Sequence, residues 1–379
     1  MCARNEAGNL QKHIPHWLQQ SVFLNQDFRR WNTPVKAESE HRGDHLSTGS
    51  ETGTSFEARG HNLPSELLII DDYSTDATAE VVRSFCGPGS PISLLRPPQP
   101  TRPGKKDALS YGISQARYDF LLLTDADCRP ATKQWAELMT APLMTGASVV
   151  VGHGAYQSHT SSFLARWQAF TAEYHGLQYR SLTRQGWSLL GVGRNLAYTK
   201  DFFYARSGMD THAQLAGGDD DLLLQTRPDS FDKAGSALVK NHAGRPAEVY
   251  KNEKYSVVDA PDTWTFSEPA GSWREYASRK QRHFSIGRHY PARSKWILTG
   301  LAMSHGLFYL LGFLLLFTPW RWWALLAYVL RMIAVWRAYK RPASLWPIYD
   351  AILCFYLLWQ TSLTILTRPR KVWTDRSKL

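Results

Sequence analysis

Clustered acidic residues are the clearest chemical signal in this sequence. Asp125-Ala126-Asp127 follows the apolar run Phe120–Leu123. Two carboxylates at i and i+2, placed at a strand end, can both reach a hard cation. Mg²⁺ or Mn²⁺ held in this way keeps open positions for the oxygens of a substrate phosphate. Alone, such a pair is a weak signal, because many solvated turns carry one. Its weight comes from Asp71-Asp72, which ends the apolar run Leu67–Ile70, and from a further cluster at Asp219-Asp220-Asp221. The last cluster precedes Leu222-Leu223-Leu224, so it also fits an acidic helix N-terminus favoured by the helix dipole.

The elements that must position these groups alternate. Leu67–Ile70 reads as a buried strand, followed by a turn and a helix over Ala77–Phe85. Then come a strand at Ile92–Leu95, a helix at Lys105–Ala116 and a strand at Phe120–Leu123. Strands alternating with helices imply a parallel α/β sheet with ligands at the carboxyl ends of its strands. Apolar residues at helical spacing (Leu10, Ile14, Trp17, Leu18, Val22) predict a first helix over residues 6–22, kinked at Pro15. Residues 36–62 are rich in Ser, Thr, Gly and charge, and read as a disordered surface insertion. The region from Gly152 to about Ala260 is less regular, and Trp273–Tyr290 is a basic, aromatic helical stretch.

The chain has 379 residues and a formal net charge of +11. The excess lies mainly in Arg279–Arg293, Arg331–Arg341 and Arg368–Lys378, which flank or punctuate an apolar tail. No basic helix or aromatic-interleaved patch outside those stretches points to nucleic acid. The blocks Trp296–Phe317, Trp322–Trp336 and Leu345–Leu366 predict transmembrane helices over 296–366, with a basic tail at 367–379. Arg331 makes the middle block the least apolar. The basic flanks place the catalytic part on the cytoplasmic side of a cell inner membrane or plasma membrane, as a multi-pass protein with membrane lipid as a partner. Basic clusters on both sides of Leu345–Leu366, together with Pro347 and Asp350, leave open whether that segment spans or re-enters. Cys2, Cys86, Cys128 and Cys354 lie far apart and read as reduced. There is no signal peptide, and Met1–Glu6 reads as the end of a strand, which suggests either a start placed too far downstream or a clipped chain.

Taken in order, Ala3-Arg4-Asn5-Glu6, Ile70-Asp71-Asp72-Tyr73-Ser74-Thr75-Asp76, Gly104-Lys105-Lys106-Asp107-Ala108-Leu109 and Thr124-Asp125-Ala126-Asp127 resemble family 2 of the inverting glycosyltransferases. That family includes cellulose, chitin and hyaluronan synthases, and the resemblance covers roughly residues 1–290. It implies a nucleotide-sugar-binding, Rossmann-like, mostly parallel sheet of glycosyltransferase type A, followed here by C-terminal transmembrane helices.

The resemblance also implies roles. Asp72, with Asp71 as the alternative, would hold the base or ribose of the donor, and Asn5 and Glu6 would line the nucleotide pocket. Lys105 would reach the nucleotide or diphosphate. Asp125 and Asp127 would bind the metal, Asp127 as the direct ligand. Gly191–Asn195 resembles the loop near donor sugar and acceptor. Asp220 takes the place of the general base and Asp219 that of the acid before it. Inversion needs such a carboxylate to take the acceptor proton while the hydroxyl attacks opposite the leaving diphosphate.

The resemblance departs at Arg279-Lys280-Gln281-Arg282-His283, where processive members carry Gln-x-x-Arg-Trp. Arg282 can still neutralise the diphosphate and His283 can still stack near the acceptor, but threading of a growing polymer does not follow. A basic juxtamembrane helix attracted to anionic lipid is the alternative reading of that stretch. The expected activity is transfer of a sugar from a nucleotide-sugar donor, a UDP-sugar favoured, to a carbohydrate or lipid-linked hydroxyl. The setting would be cell-surface polysaccharide or glycolipid assembly. A catalytically dead, membrane-bound scaffold that keeps the fold is the alternative. A soluble nucleotidyltransferase is disfavoured by the apolar tail and by the lack of a glycine-rich phosphate loop.

Overall fold

The structure is a computed structural model, and it describes residues 1–24, 64–98, 104–157, 161–226, 253–338 and 346–366. The expected insertion at 36–62 and the basic tail at 367–379 lie outside the described residues.

The chain begins with β1 (Cys2–Ala3), α1 (Ala7–Leu18), α2 (Ser21–Leu24), β2 (Leu67–Asp71), α3 (Thr78–Phe85) and β3 (Ile92–Leu95). It continues with α4 (Lys106–Gln115), β4 (Phe120–Leu123), β5 (Cys128–Pro130), α5 (Trp135–Met144), β6 (Val149–Val151) and β7 (Gly154–Tyr156). Next come α6 (Phe163–Arg184), β8 (Leu196–Thr199), α7 (Lys200–Tyr204), α8 (Asp221–Gln225), β9 (Tyr255–Val257), β10 (Thr265–Ser267) and α9 (Trp273–Ser285). Helices α10 (Ala292–Leu315), α11 (Arg321–Ala338) and α12 (Trp346–Leu366) follow.

Strand β2 lies between β1 and β3, all parallel. Ile69 and Ile70 point to opposite faces yet are both buried, as a central parallel strand requires. Helix α4 closes on this layer at Gly112, where a Cβ would lie 2.7 Å from Ile70 Cδ1. A parallel bridge between Cys2 and Asp125 joins β1 to the residue range just after β4. The carboxyl ends of β1, β2 and β4 therefore meet along one edge, and all the acidic strand ends open onto it.

Beyond β4 the order is β8-β6-β9. Strand β8 runs antiparallel to both β4 and β6, so the otherwise parallel array of β1–β4, β6 and β9 has one reversed strand. The reversal arises because α6, 22 residues long, carries the chain away from the sheet before it returns between two strands already parallel to each other. A smaller sheet, β5-β10-β7, lies alongside.

Of the expected membrane spans, α10 alone among the described residues is long and apolar enough to cross a membrane. Helix α12 packs instead on the rest of the fold: Trp346, Tyr349, Leu353, Tyr356 and Leu357 join Leu164, Trp167 and Phe170 of α6 and Tyr276 and Phe284 of α9 in one cluster. The last three helices are polar inside and apolar outside. Asp350 of α12 receives Arg331 Nε of α11 at 2.9 Å and the Tyr309 hydroxyl of α10, while Arg331 Nη2 lies 2.7 Å from His305 Nδ1. Leu310, Phe313, Trp322, Trp323 and Phe355 face outward.

Candidate active site

Gly104, at φ +76°, turns the chain into α4 so closely under Ala216 that a Cβ there would meet its carbonyl oxygen at 2.3 Å. The two lysines that follow part company. Lys106 is fully buried and donates to the carbonyls of His212 and Leu215, which ties down the loop leading to Asp219. Lys105 faces the cleft. Its Nζ lies 3.1 Å from Asp125 Oδ1 and 2.9 Å from Asp219 Oδ2. Burial alone would lower that ammonium's pKa, but Asp125 and Asp219 hold it well above its ordinary value.

Gly193 lies against the same group. Its N–H donates to Asp220 Oδ2 at 3.0 Å. A Cβ on Gly193 would stand 3.4 Å from that oxygen, 3.5 Å from Asp219 Oδ2 and 3.6 Å from Lys105 Nζ. Asp220 caps α8, its Oδ1 accepting from the Asp221 N–H at 2.8 Å. Asp221 is buried, takes the Gly191 N–H at 2.9 Å on Oδ1 and the Tyr290 hydroxyl on Oδ2. Burial first, then Asp221 and Asp219, push the Asp220 carboxyl up to about 7. Burial likewise raises Asp221 to about 6, against the hydrogen bonds from Tyr290 and Gly191. Each oxygen of Asp220 accepts one backbone N–H, which leaves lone pairs for a substrate proton.

Asp125 and Asp127 share the turn after β4. Burial raises both, but Lys105 brings Asp125 below the usual range, whereas Asp125 itself adds to the rise of Asp127. The Cys128 thiol donates to Asp127 Oδ1 at 3.3 Å. Among the described residues, no group of three or more His, Cys, Asp or Glu forms a ready-made metal cage. The pair nevertheless fits a divalent cation. Mutually repelling carboxylates gain from a positive charge between them, and Mg²⁺-type sites need only one or two carboxylates when substrate oxygens complete the shell.

On the β1–β2 side, Asn5 has φ 56° and accepts the Thr75 N–H at 2.8 Å, while its own N–H donates to Ser74 Oγ. The Glu6 N–H donates to Thr78 Oγ1. These bonds hold the turn after β1 against the turn after β2. Burial raises the Glu6 carboxyl, the hydrogen bond from Asn9 opposes this, and Asp127 and Asp125 add to it. Asp71 accepts the Ser74 N–H and lies 3.8 Å from Arg96 Nε, and Asp72 is buried beside it.

On the α9 side, Arg279 pairs with Glu275 one turn back. Arg282 is half-buried, and desolvation followed by Arg279 lowers its pKa. His283 is exposed. Desolvation and then Lys280 pull its imidazole down, and Asp220 opposes them.

The structure thus brings Lys105, Asp125, Asp219 and Asp220 together, with Asp127 and His283 within electrostatic reach. Asn5, Asp71 and Asp72 are gathered at the neighbouring strand ends. Sequence reasoning missed Arg194, Tyr156, Lys106 and Tyr290. Arg194 donates to the Gly154 carbonyl at 2.6 Å and lies 4.7 Å over the Tyr156 ring. Gly154 leaves the room this needs, since a Cβ there would meet Arg194 Nε at 2.3 Å; a glycine opening a strand was the available signal. Asn195 proved to be internal. It donates to the carbonyls of His153 and Thr263, each at 2.8 Å, and accepts from Trp135 Nε1.

A dolichyl-phosphate beta-glucosyltransferase of Trichomonas vaginalis is 29% identical over 113 residues, 28% of this chain and 33% of that one. The chain therefore spans about a third of that relative's length. Among solved structures, a mannosyltransferase of Pyrobaculum calidifontis aligns over 96% of this chain and 85% of its own, at 16% identity and a TM-score of 0.48. The glucosyl-3-phosphoglycerate synthase of Mycobacterium tuberculosis aligns over 76% and 79%, at 15% identity and a TM-score of 0.41. Residues 54–205, which include β2, the Lys105 turn, the Asp125-Ala126-Asp127 turn and β8, match the family described as glycosyl transferase family 2. The chain therefore carries a glycosyl transferase family 2 domain.

Proposed function

We propose that this chain is an inverting glycosyltransferase that moves a sugar from a nucleoside-diphosphate donor, a UDP-sugar favoured, to an acceptor hydroxyl. The observation that carries the reading is the convergence on Gly193 of a raised carboxyl, Asp220, and a cation, Lys105, beside the Asp125/Asp127 pair. Asp220 takes the proton of the acceptor hydroxyl as its oxygen attacks the anomeric carbon. The bond from that carbon to the diphosphate breaks on the opposite face, and the configuration inverts. Lys105 and Arg282 offset the charge that develops on the departing diphosphate, in a site where fixed charges act at low dielectric. Asp125 and Asp127 would hold Mg²⁺ or Mn²⁺, which when bound supplies Lewis-acid stabilisation of the leaving group. Asn5, Glu6, Asp71 and Asp72 receive the nucleotide. Arg279 and His283 border the site from α9.

Membrane attachment belongs to the same proposal. The outward apolar face of α10–α12 supports it, with the catalytic domain on the cytoplasmic side of the inner or plasma membrane. A lipid-linked acceptor accords with that placement and with the acceptor named for the Trichomonas relative. A role in cell-surface polysaccharide or glycolipid assembly follows from it.

The test is donor turnover in detergent. UDP- and GDP-sugars are supplied with Mg²⁺ or Mn²⁺ and membrane lipids as acceptors, and released nucleoside diphosphate is assayed with and without chelator. Chelator-sensitive release from one donor, lost in Asp127→Ala, is expected. Absence of release from every donor would favour the scaffold alternative.

A further inference from the structure

The base lies in a short chain of hydrogen bonds that ends at the threshold of α10. Tyr290 stands two residues before the start of α10 and is buried. Its ring packs with Leu222 and Ile286, and Ile286 in turn lies over the Gly217-Gly218 turn, where Cβ atoms would meet it at about 3.3 Å. Gly218 has φ +86° and so needs to be glycine. The segment from Ile286 to Tyr290 is thus seated on the loop that carries Asp219, Asp220 and Asp221. At the centre of that contact the Tyr290 hydroxyl donates to Asp221 Oδ2, whose other oxygen accepts from Gly191, and the Asp221 N–H donates to Asp220 Oδ1.

We propose that Tyr290 is a positioning residue for the base Asp220, acting through Asp221 and linking the start of α10 to the catalytic site. This rests on the function proposed above. Of the charges that raise Asp220, Asp221 acts most strongly, and it is held by two donors. Its orientation sets both the backbone N–H that Asp220 accepts and the field that Asp220 experiences. The hydroxyl also fixes the protonation of Asp221: without it the Asp221 carboxyl rises further above about 6 and stays neutral to higher pH. A neutral Asp221 no longer lifts Asp220, which then falls from about 7 and becomes a weaker base.

Tyr290→Phe removes the hydroxyl and keeps the ring in its apolar contact. We expect a fall of roughly tenfold in kcat, a donor KM within about twofold of wild type, and an acid limb of the kcat–pH profile displaced to lower pH. A change that was merely structural would lower kcat without moving the limb. That result, or wild-type kcat with the wild-type limb, would overturn the assignment. The contact has its own readout in thermal unfolding. Tyr290→Phe should lower Tm by about 2–4 °C in the wild-type background and leave it unchanged in an Asp221→Ala background. Equal losses in both backgrounds would remove the contact and with it the proposal. If the wild-type protein turned over no donor, the proposed function would fail, and the unfolding cycle would still decide whether Tyr290 grips Asp221.

Discussion

Lys105 Nζ stands 2.9 Å from Asp219 Oδ2 and also contacts Asp125, so a single ammonium spans the carboxylates of two separate clusters. Those clusters come from the end of β4 and from the start of α8, far apart in sequence. Among the described residues, the lysine is the one charged group that pairs with both.

Lys105→Met would leave Asp125 and Asp219 facing each other without their cation. Loss of a partner from a mostly buried pair costs about 1–3 kcal/mol. A Tm drop of several degrees and a loss of donor turnover of at least about a hundredfold are expected. Lys105→Arg should recover stability before it recovers rate, because the planar fork cannot reproduce a compact charge at two carboxylates. Parallel unfolding and turnover measurements on the two variants check this.

Asp220→Asn should reduce kcat by about 10²–10⁴-fold with donor binding largely kept, since the amide preserves shape but cannot take a proton. Measuring the donor Kd by equilibrium binding, alongside kcat, separates the two effects. Unchanged turnover would remove Asp220 as the base.

The same carboxyl fixes the pH dependence. With Asp220 pushed up to about 7, kcat should fall as pH drops below neutrality. Stability should run the other way. A carboxyl raised on folding contributes stability that is present below its unfolded value near 3.8 and is lost as pH rises towards 7. Asp220→Asn should therefore raise Tm at pH 8 relative to wild type and change it less at pH 4, which thermal scans at the two pH values would show.

Asn195→Ala tests the loop before β8. The side chain is fully buried and serves two carbonyls and the Trp135 indole. Leaving these unsatisfied should cost about 2–4 kcal/mol, with donor KM close to wild type at a temperature where the variant stays folded. A large KM change at unchanged Tm would return Asn195 to the donor site.

Local pattern carried far in this chain. The apolar runs ending in acid at Asp71 and Asp125, and the helical spacing of Leu10, Ile14 and Trp17, placed β2, β4 and α1 within a few residues of their observed bounds. This was possible because burial on one edge or one face imprints itself on neighbouring positions. The direction of β8 was not legible. Leu196–Thr199 is equally apolar whichever way it runs, and its orientation follows from the long excursion through α6. Tyr290 was hidden for a related reason. Its partner Asp221 is 69 residues away, and an aromatic residue beside an apolar tail looks the same whether its hydroxyl meets solvent or a carboxylate. Arg194 was read only as part of a loop, because nothing local says that Gly154 clears the space its guanidinium fills.

The Arg331–Asp350 pair constrains the order in which the last helices assemble. Separately, α11 carries a guanidinium and α12 a carboxylate, and either alone would be costly to bury. Side by side they neutralise each other through two hydrogen bonds, at 2.9 and 3.2 Å. Neither helix is therefore expected to bury its polar face until the other is in place, and loss of either partner would leave an uncompensated charge between them.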